Sequence, residues 1–141
     1  MKHLSLGIPI AIGALLLALF SVGGRPILYF HPPELIAVLI APLGLMISSF
    51  GPRRLWGAAQ CSMGLKRANE EDCFVLEKWI KASYVVSFLT FLGGAVFILN
   101  LIDQGPVVAA FRFAAALCAP IYALLICEIV LRPALTRGQQ V

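Results

Sequence analysis

The chain alternates between long apolar runs and short polar segments, and this pattern predicts its elements. Four runs are long enough to cross a bilayer: 4–22, 35–50, 82–102 and 106–131. A crossing takes about 20 helical residues, so the second run is short and the fourth is long enough to tilt. The runs lack the alternation typical of barrel strands. The pattern predicts an all-α membrane protein with four transmembrane helices in a single unit.

Positive charges gather in the polar segments on one side of these runs. The 51–81 segment carries six Lys and Arg residues, whereas 23–34 carries one and 103–105 carries none. The two ends of the chain add basic residues on the same side: Lys2, Arg132 and Arg137. Because cytoplasmic loops are rich in Lys and Arg, we expect both termini and the 51–81 loop to be cytoplasmic.

The loop 51–81 is predicted to be helical, with a break near Asn69. An Asn followed by Glu70, Glu71 and Asp72 is typical of a helix start, since Asn caps the first turn and acids favour its positive end. The helix is expected to continue into the third run. The link 103–106, Asp-Gln-Gly-Pro, predicts a tight turn that joins the third and fourth runs as an antiparallel hairpin.

Composition supports a membrane protein and excludes several functions. The chain has 141 residues, 60% hydrophobic and 13% charged, and a mean hydropathy of +0.92. Its basic residues are not gathered on one polar face, which argues against nucleic-acid binding. The four cysteines and two histidines lack metal-site spacing. We find no catalytic motif, and we expect neither an enzyme, nor a bound metal, nor a cofactor.

Two ionisable residues lie inside the predicted spans, both in the fourth. Arg112 is six residues past Pro106, about 9 Å along a helix, close enough to the surface to reach outward and meet Asp103. Glu128 is four residues before Arg132, so the two can pair across one helical turn. The alternative is that one of these charges faces the bundle interior and contacts a partner helix.

Two stretches carry a family pattern. Residues 23–50, GGRPILYFHPPELIAVLIAPLGLMISSF, contain a Gly pair, a Phe, a short polar turn and an apolar run that ends in Ser-Phe. In the fourth run, Gly105-Pro106 is followed by the Ala-rich stretch 109–119, by Tyr122 and, eleven residues later, by Pro133. Both stretches resemble MotA-type flagellar stator proteins, which belong to the MotA/TolQ/ExbB proton channel family.

This resemblance implies a multi-pass subunit of the bacterial inner membrane that assembles as a homo-oligomeric ring, a pentamer in the family. The ring would surround a single-span MotB/ExbD-like partner within the lipid and form part of an ion-driven stator of the flagellar motor. The family register places four residues nearest the partner or the ion path: Thr90, Arg112, Pro120 and Tyr122. The partner would supply the ion-carrying acid, because we expect no acid of this chain at mid-membrane.

The chain also departs from the family pattern. Its cytoplasmic loop is much shorter than the family's, so a torque-generating contact with a rotor is not expected. Pro120 stands where the family has a threonine on the ion path. These departures leave open a non-conducting structural or accessory subunit of a larger membrane complex. A small four-helix transporter is a third possibility, but it requires a deep acid, and we expect neither Glu34 nor Glu128 to lie that deep.

Overall fold

The computed structural model describes residue 13 and residues 31–67, 69–99 and 105–138, with side chains through residue 136. The chain divides into two compact units, Met1–His31 and Pro32–Val141. The predicted span 4–22 lies in the first unit, outside the described residues.

The described part of the second unit is helical apart from its short connections. Its elements are α1 (Pro32–Phe50), α2 (Pro52–Ser62), α3 (Glu70–Leu99), α4 (Pro106–Leu125), a π-helical segment (Ile126–Leu131) and α5 (Arg132–Gly138). Three helical stretches are long and apolar enough to cross a membrane: α1, α3 and the continuous stretch Pro106–Thr136. The prediction of helices for the second, third and fourth runs is therefore confirmed.

The start of α3 follows the predicted capping pattern. The Asn69 side-chain oxygen accepts the backbone N–H of Asp72 at 2.7 Å. In return, the Asp72 carboxylate accepts the backbone N–H of Asn69 at 3.4 Å. The two side chains thus satisfy two donors of the first turn reciprocally, as in a capping box. The predicted helix start at residue 70 is confirmed, and α3 continues without interruption from the loop into the third run.

The helix of the fourth run continues past residue 131, where the predicted span ends. The chain first widens into the π-helical segment, where the backbone N–H of Arg132 donates to the carbonyl of Cys127, five residues back. It then resumes as α5. A proline removes the donor for the carbonyl four residues earlier. In the π segment, hydrogen bonds join residues five apart instead of four. The carbonyl four residues before Pro133 therefore does not depend on the missing proline N–H, and Pro133 is accommodated inside the helix.

The helices α3 and α4 form the expected antiparallel hairpin. Gly105 has φ of +110°, a conformation that favours glycine, and Pro106 begins α4. We call this end of the hairpin the turn end. The opposite end, where α2 and α5 lie against α3, is the loop end.

Buried packing is concentrated at the loop end. This core joins residues of every described helix except α4: Met46, Leu55, Ala58, Cys61, Val75, Leu76, Ile80, Cys127, Leu131 and Ala134. Leu76 is fully buried, and burial of such a side chain stabilises the fold by about 1.5–3 kcal/mol. A smaller cluster joins α1 and α4 through Val38, Ala119 and Ala123. Toward the turn end, most apolar side chains of α3 and α4 are exposed, as expected for helices that cross lipid.

The hairpin helices approach most closely at Gly94 of α3. A Cβ atom placed on Gly94 would lie 2.7 Å from the Cβ of Ala116, whereas one placed on the neighbouring Gly93 would meet nothing within 4 Å. Small residues at a helix interface let the two backbones pack closely in a membrane. Gly94 and Ala116 therefore fix the distance between α3 and α4 on the turn-end side of the smaller cluster.

Candidate functional site

Glu128 joins the two hairpin helices near the loop end. The Tyr84 hydroxyl of α3 donates to Glu128 Oε1 at 2.6 Å, and Arg132 Nη1 lies 3.0 Å from Glu128 Oε2. The ion pair with Arg132 is the one that the spacing of four residues predicts. The contact with Tyr84 was not predicted, because it joins residues 44 apart in the chain. Both carboxylate oxygens are thus held by partners.

The π-helical segment carries Glu128. A π turn holds more residues than an α turn, so it changes the direction in which the following side chains point. In the same segment, the Cys127 thiol lies 3.9 Å from the carbonyl of Ile80 in α3. The π segment is therefore pressed against α3, which places the Glu128 carboxylate within reach of Tyr84. Such segments are frequent at functional sites.

Three of the four residues assigned to a partner or ion path lie at one level of the hairpin. The helices α3 and α4 are antiparallel, and Gly94 lies against Ala116. Thr90 precedes Gly94 by four residues and Pro120 follows Ala116 by four, so Thr90 lies opposite Pro120. Tyr122 is half-buried and packs against the cluster that joins α1 to α4. The Thr90 hydroxyl donates to the Val86 carbonyl at 2.9 Å within its own helix.

Arg112 lies apart from that level, eight residues closer to the turn end. It is exposed, although it shares a helical stripe with the buried residues Ala116, Ala119 and Ala123 of α4. Among the residues that the structure describes, no carboxylate pairs with Arg112 in an ion pair. Its predicted partner Asp103 lies outside the described residues. The expected contact between the two therefore stays a prediction.

Glu34 lies on the inner stripe of α1, the face that packs against the rest of the unit. The residues buried along α1 are Val38, Pro42 and Met46, and Glu34 precedes Val38 by four, so it belongs to the same stripe. Its carboxylate is in electrostatic range of the Cys118 thiol of α4. Cys118 is twelve residues past Pro106, about 18 Å along the helix. The first turns of α1 therefore lie beside the second half of α4, where Val38 packs with Ala119 and Ala123.

The Glu34 carboxylate differs from that of Glu128 in its partners. Its Oε2 atom exposes less than 1 Å² and has no hydrogen-bond donor within the described residues. A buried polar atom without a partner costs about 1–3 kcal/mol. Glu34 was expected to be a shallow group because it stands next to Pro32 and Pro33, at the start of a span. The signal that could have found it is its position on the stripe of Val38 and Pro42.

A second polar cluster lies at the loop end, around Asp72. The carboxylate accepts from Lys66 Nζ at 2.9 Å and from the Cys61 thiol at 3.5 Å, in addition to the Asn69 backbone. Burial opposes the ionisation of Asp72, but these hydrogen bonds, that from Lys66 first, hold its pKa below the ordinary value. Gly57 of α2 leaves room beside this carboxylate, since a Cβ there would lie 2.9 Å from Asp72 Oδ1 and the side chain would have to shift.

The Asp72 cluster also controls two thiols. Burial, and then the negative charge of Asp72, raises the pKa of Cys61 and that of Cys73. Both thiols are therefore protonated at neutral pH and poorly nucleophilic. Across the described ranges, no group of three or more His, Cys, Asp or Glu side chains is placed to hold a metal ion. The hydrogen bonds of the cluster hold α2 and the following loop against the start of α3.

The geometry therefore offers two acids with different surroundings: Glu128, paired at the loop end, and Glu34, half-buried on the inner stripe of α1. Thr90, Pro120 and Tyr122 stand near the level of Glu34, and Arg112 stands closer to the turn end. The described residues include three helical stretches that are long and apolar enough to cross a bilayer, which indicates a membrane protein. A scan against protein-family models, a search of curated proteins and a search of solved structures each gave no match.

Proposed function

We propose that this chain is a MotA-like subunit of the bacterial inner membrane, which assembles with copies of itself around single-span partner helices as part of an ion-driven stator. The termini and the loop end would face the cytoplasm, in keeping with the Lys and Arg of residues 51–81. The proposal is supported by the MotA/TolQ/ExbB resemblance of the second and fourth runs and by the surroundings of Arg112.

Arg112 is the observation that carries the assembly proposal. Arg112 lies on the same stripe of α4 as the buried residues Ala116, Ala119 and Ala123. Unlike them, Arg112 is exposed, because α1 does not extend to its level. A charge inside a membrane span is costly unless its side chain reaches the surface or meets a partner of opposite charge. A partner helix that brought a carboxylate to this position would offset that cost and cover apolar residues beside it, such as Val108 and Phe111, which are exposed.

The test is to extract the tagged chain with its native membrane partners in a mild detergent and to measure the composition by native mass spectrometry. We expect several copies of this chain together with a smaller single-span protein that carries a membrane acid. Arg112→Leu should reduce the recovery of the smaller protein, whereas Arg112→Lys, which keeps the charge, should retain it. A monodisperse monomer with no single-span companion would refute the proposal.

The short loop favours a second function, a non-conducting accessory subunit of a larger membrane complex. In place of a projecting domain, α2 folds back onto α3, where Arg54 pairs with Glu71 at 2.8 Å and Lys66 pairs with Asp72. The discriminating measurement is ion flux in liposomes that contain the subunit with and without its partner. Flux that depends on the partner's acid supports the stator function, and its absence in a complete complex supports the accessory function.

A further inference from the structure

We propose that the loop end binds an anionic phospholipid, whose phosphate is held by Arg53 and Lys78 and whose acyl chain covers an exposed apolar stripe of α1. The inference does not rest on the proposed function, because every residue that it uses belongs to one chain. It goes beyond that function, in which the binding partners are proteins and no lipid is selected by its charge.

The ion pairs of the loop end leave three cations over. Four acids of this end are paired with four cations: Glu71 with Arg54, Asp72 with Lys66, Glu77 with Lys81 and Glu128 with Arg132. In the part of the chain that the structure describes, Arg53, Arg67 and Lys78 form no such pair. The charges of these three side chains are therefore available to an anion from outside the chain.

Two of these cations lie where α1 ends. The ring of Phe50, the last residue of α1, meets that of Phe74 edge-on, with the ring centres 5.9 Å apart. Lys78 Nζ lies 5.1 Å from the centre of the same Phe74 ring. Arg53 follows Phe50 by three residues, after Gly51, whose φ of +79° separates α1 from α2. Arg53 and Lys78 thus lie on either side of the contact between Phe50 and Phe74.

The end of α1 corresponds to the headgroup layer of a bilayer. The helix α1 has 19 residues and is apolar enough to cross a membrane. Its length is about 28 Å, close to the thickness of the hydrocarbon core, which is about 30 Å. A residue just past its end is therefore at the level of the lipid phosphates, and so are Arg53 and Lys78.

The outer face of α2 places an indole beside one of these cations. The residues that α2 buries are Leu55, Ala58 and Cys61. Arg53 and Trp56 lie on the opposite face, one helical turn apart, and Trp56 is 63% exposed. Tryptophan side chains favour the boundary between lipid and water. An exposed indole next to an unpaired guanidinium is therefore typical of a surface that contacts lipid headgroups.

An exposed apolar stripe leads along α1 to this level. Ile36, Ile40 and Ile47 are 54%, 61% and 47% exposed, and their spacings of four and seven residues place them on one face of α1. Phe50 follows Ile47 by three residues, so the stripe ends beside the two cations. A lipid whose acyl chain covers Ile47 brings its headgroup to Arg53 and Lys78. This continuity favours a phospholipid over a soluble anion or an acidic protein segment, neither of which brings an acyl chain.

Arg54 and Lys81 provide a matched control. They belong to the same helices as Arg53 and Lys78, but they lie 2.8 Å from Glu71 and 2.6 Å from Glu77. The double variants Arg53→Gln/Lys78→Gln and Arg54→Gln/Lys81→Gln remove the same charge from the same two helices. Attraction by net charge predicts equal effects of the two variants. A site built from the unpaired cations predicts a loss in the first variant alone.

The experiment measures the lipids that the full chain retains. The chain is released from nanodiscs with equal amounts of phosphatidylglycerol, which is anionic, and phosphatidylcholine, which has no net charge, and native mass spectrometry counts the bound lipids. A basic residue near an anionic lipid contributes about fivefold in affinity. We expect the wild type to prefer phosphatidylglycerol by about tenfold or more, and Arg53→Gln/Lys78→Gln to lose that preference. Arg54→Gln/Lys81→Gln should keep it.

Three outcomes would overturn the proposal. The first is equal retention of the two phospholipids by the wild type, a measurement that needs no variant to fold. The second is an equal loss of preference in the two double variants, which would assign it to net charge. The third is displacement of phosphatidylglycerol by an equal concentration of glycerol 3-phosphate or polyglutamate, which would assign the cations to a soluble anion or an acidic protein. Each result can be obtained whether or not the chain forms a ring, so it is independent of the proposed function.

Discussion

The substitution Gly94→Ala tests the close approach of α3 and α4 that holds the hairpin together. The added Cβ would lie 2.7 Å from the Cβ of Ala116 and 3.7 Å from its Cα. The Cα of Ala116 is a backbone atom and its Cβ is bonded directly to it, so no flexible side chain can move aside. The two helices would have to separate along the hairpin. Gly93→Ala is the matched control, because its Cβ would meet nothing within 4 Å.

The magnitude follows from two opposing terms. Replacing Gly by Ala inside a helix favours folding by up to about 1 kcal/mol, and this gain is common to both variants. Overpacking of a rigid contact costs about 1–3 kcal/mol, and only Gly94→Ala meets that cost. The difference in the free energy of unfolding between Gly94→Ala and Gly93→Ala should therefore be about 1–3 kcal/mol, with Gly94→Ala less stable.

The assay is equilibrium unfolding in mixed micelles of a mild detergent and SDS, followed by the fluorescence of the chain's two tryptophans. Trp79 packs against the loop-end core, so its emission reports loss of that packing. The double variant Gly94→Ala/Ala116→Gly moves the methyl group from one helix to the other and removes the clash. It should recover most of the loss, with a coupling energy of about 1–3 kcal/mol.

Equal stabilisation by Gly93→Ala and Gly94→Ala would refute the close approach. A double variant whose two effects simply add would refute it independently, because additivity is expected of residues that do not touch.

Two further predictions concern the polar contacts of the loop end. Asp72→Asn should cost about 1–3 kcal/mol at neutral pH. Since the pKa of Asp72 is held below its ordinary value of 3.8, its contribution is present above that value and is lost as pH falls through the lowered pKa. On acidification, the free energy of unfolding should therefore fall more steeply for the wild type than for Asp72→Asn. Parallel pH curves for the two proteins would contradict this role of Asp72. Tyr84→Phe should cost about 0.5–2 kcal/mol, the range for hydrogen bonds between membrane helices, and much less in a Glu128→Ala background; an undiminished cost there would place the role of the Tyr84 hydroxyl elsewhere.

Local signals in the sequence were sufficient for the helix starts. Asn69 followed by three acids predicted the start of α3, and the reciprocal bonds between Asn69 and Asp72 confirm it. Gly105-Pro106 predicted a turn into α4, and the positive φ of Gly105 confirms its reason. Both succeeded because a cap or a turn depends on residues within three or four positions of one another.

The continuation of the helix through Pro133, in contrast, depends on more than local signals. A proline ends an α-helix when its missing N–H and its ring cannot be accommodated. The π-helical register of residues 126–131 accommodates both, and α5 follows directly. In that register, Cys127 and Leu131 pack into the loop-end core with residues from α1, α2 and α3. These contacts join distant parts of the chain, so local sequence signals do not predict them.

The sequence by itself determined the three helical stretches of the described residues that are long and apolar enough to cross a membrane, because hydropathy and helix length depend only on the residues within each run. It also determined the pairing of Glu128 with Arg132, since one helical turn separates them. Only the tertiary structure decided that Tyr84 reaches Glu128 and that α1 packs through Val38 against Ala119 and Ala123 of α4. Both depend on how far one helix is shifted along another, and that shift is set by close contacts such as Gly94 with Ala116 and Val38 with Ala119.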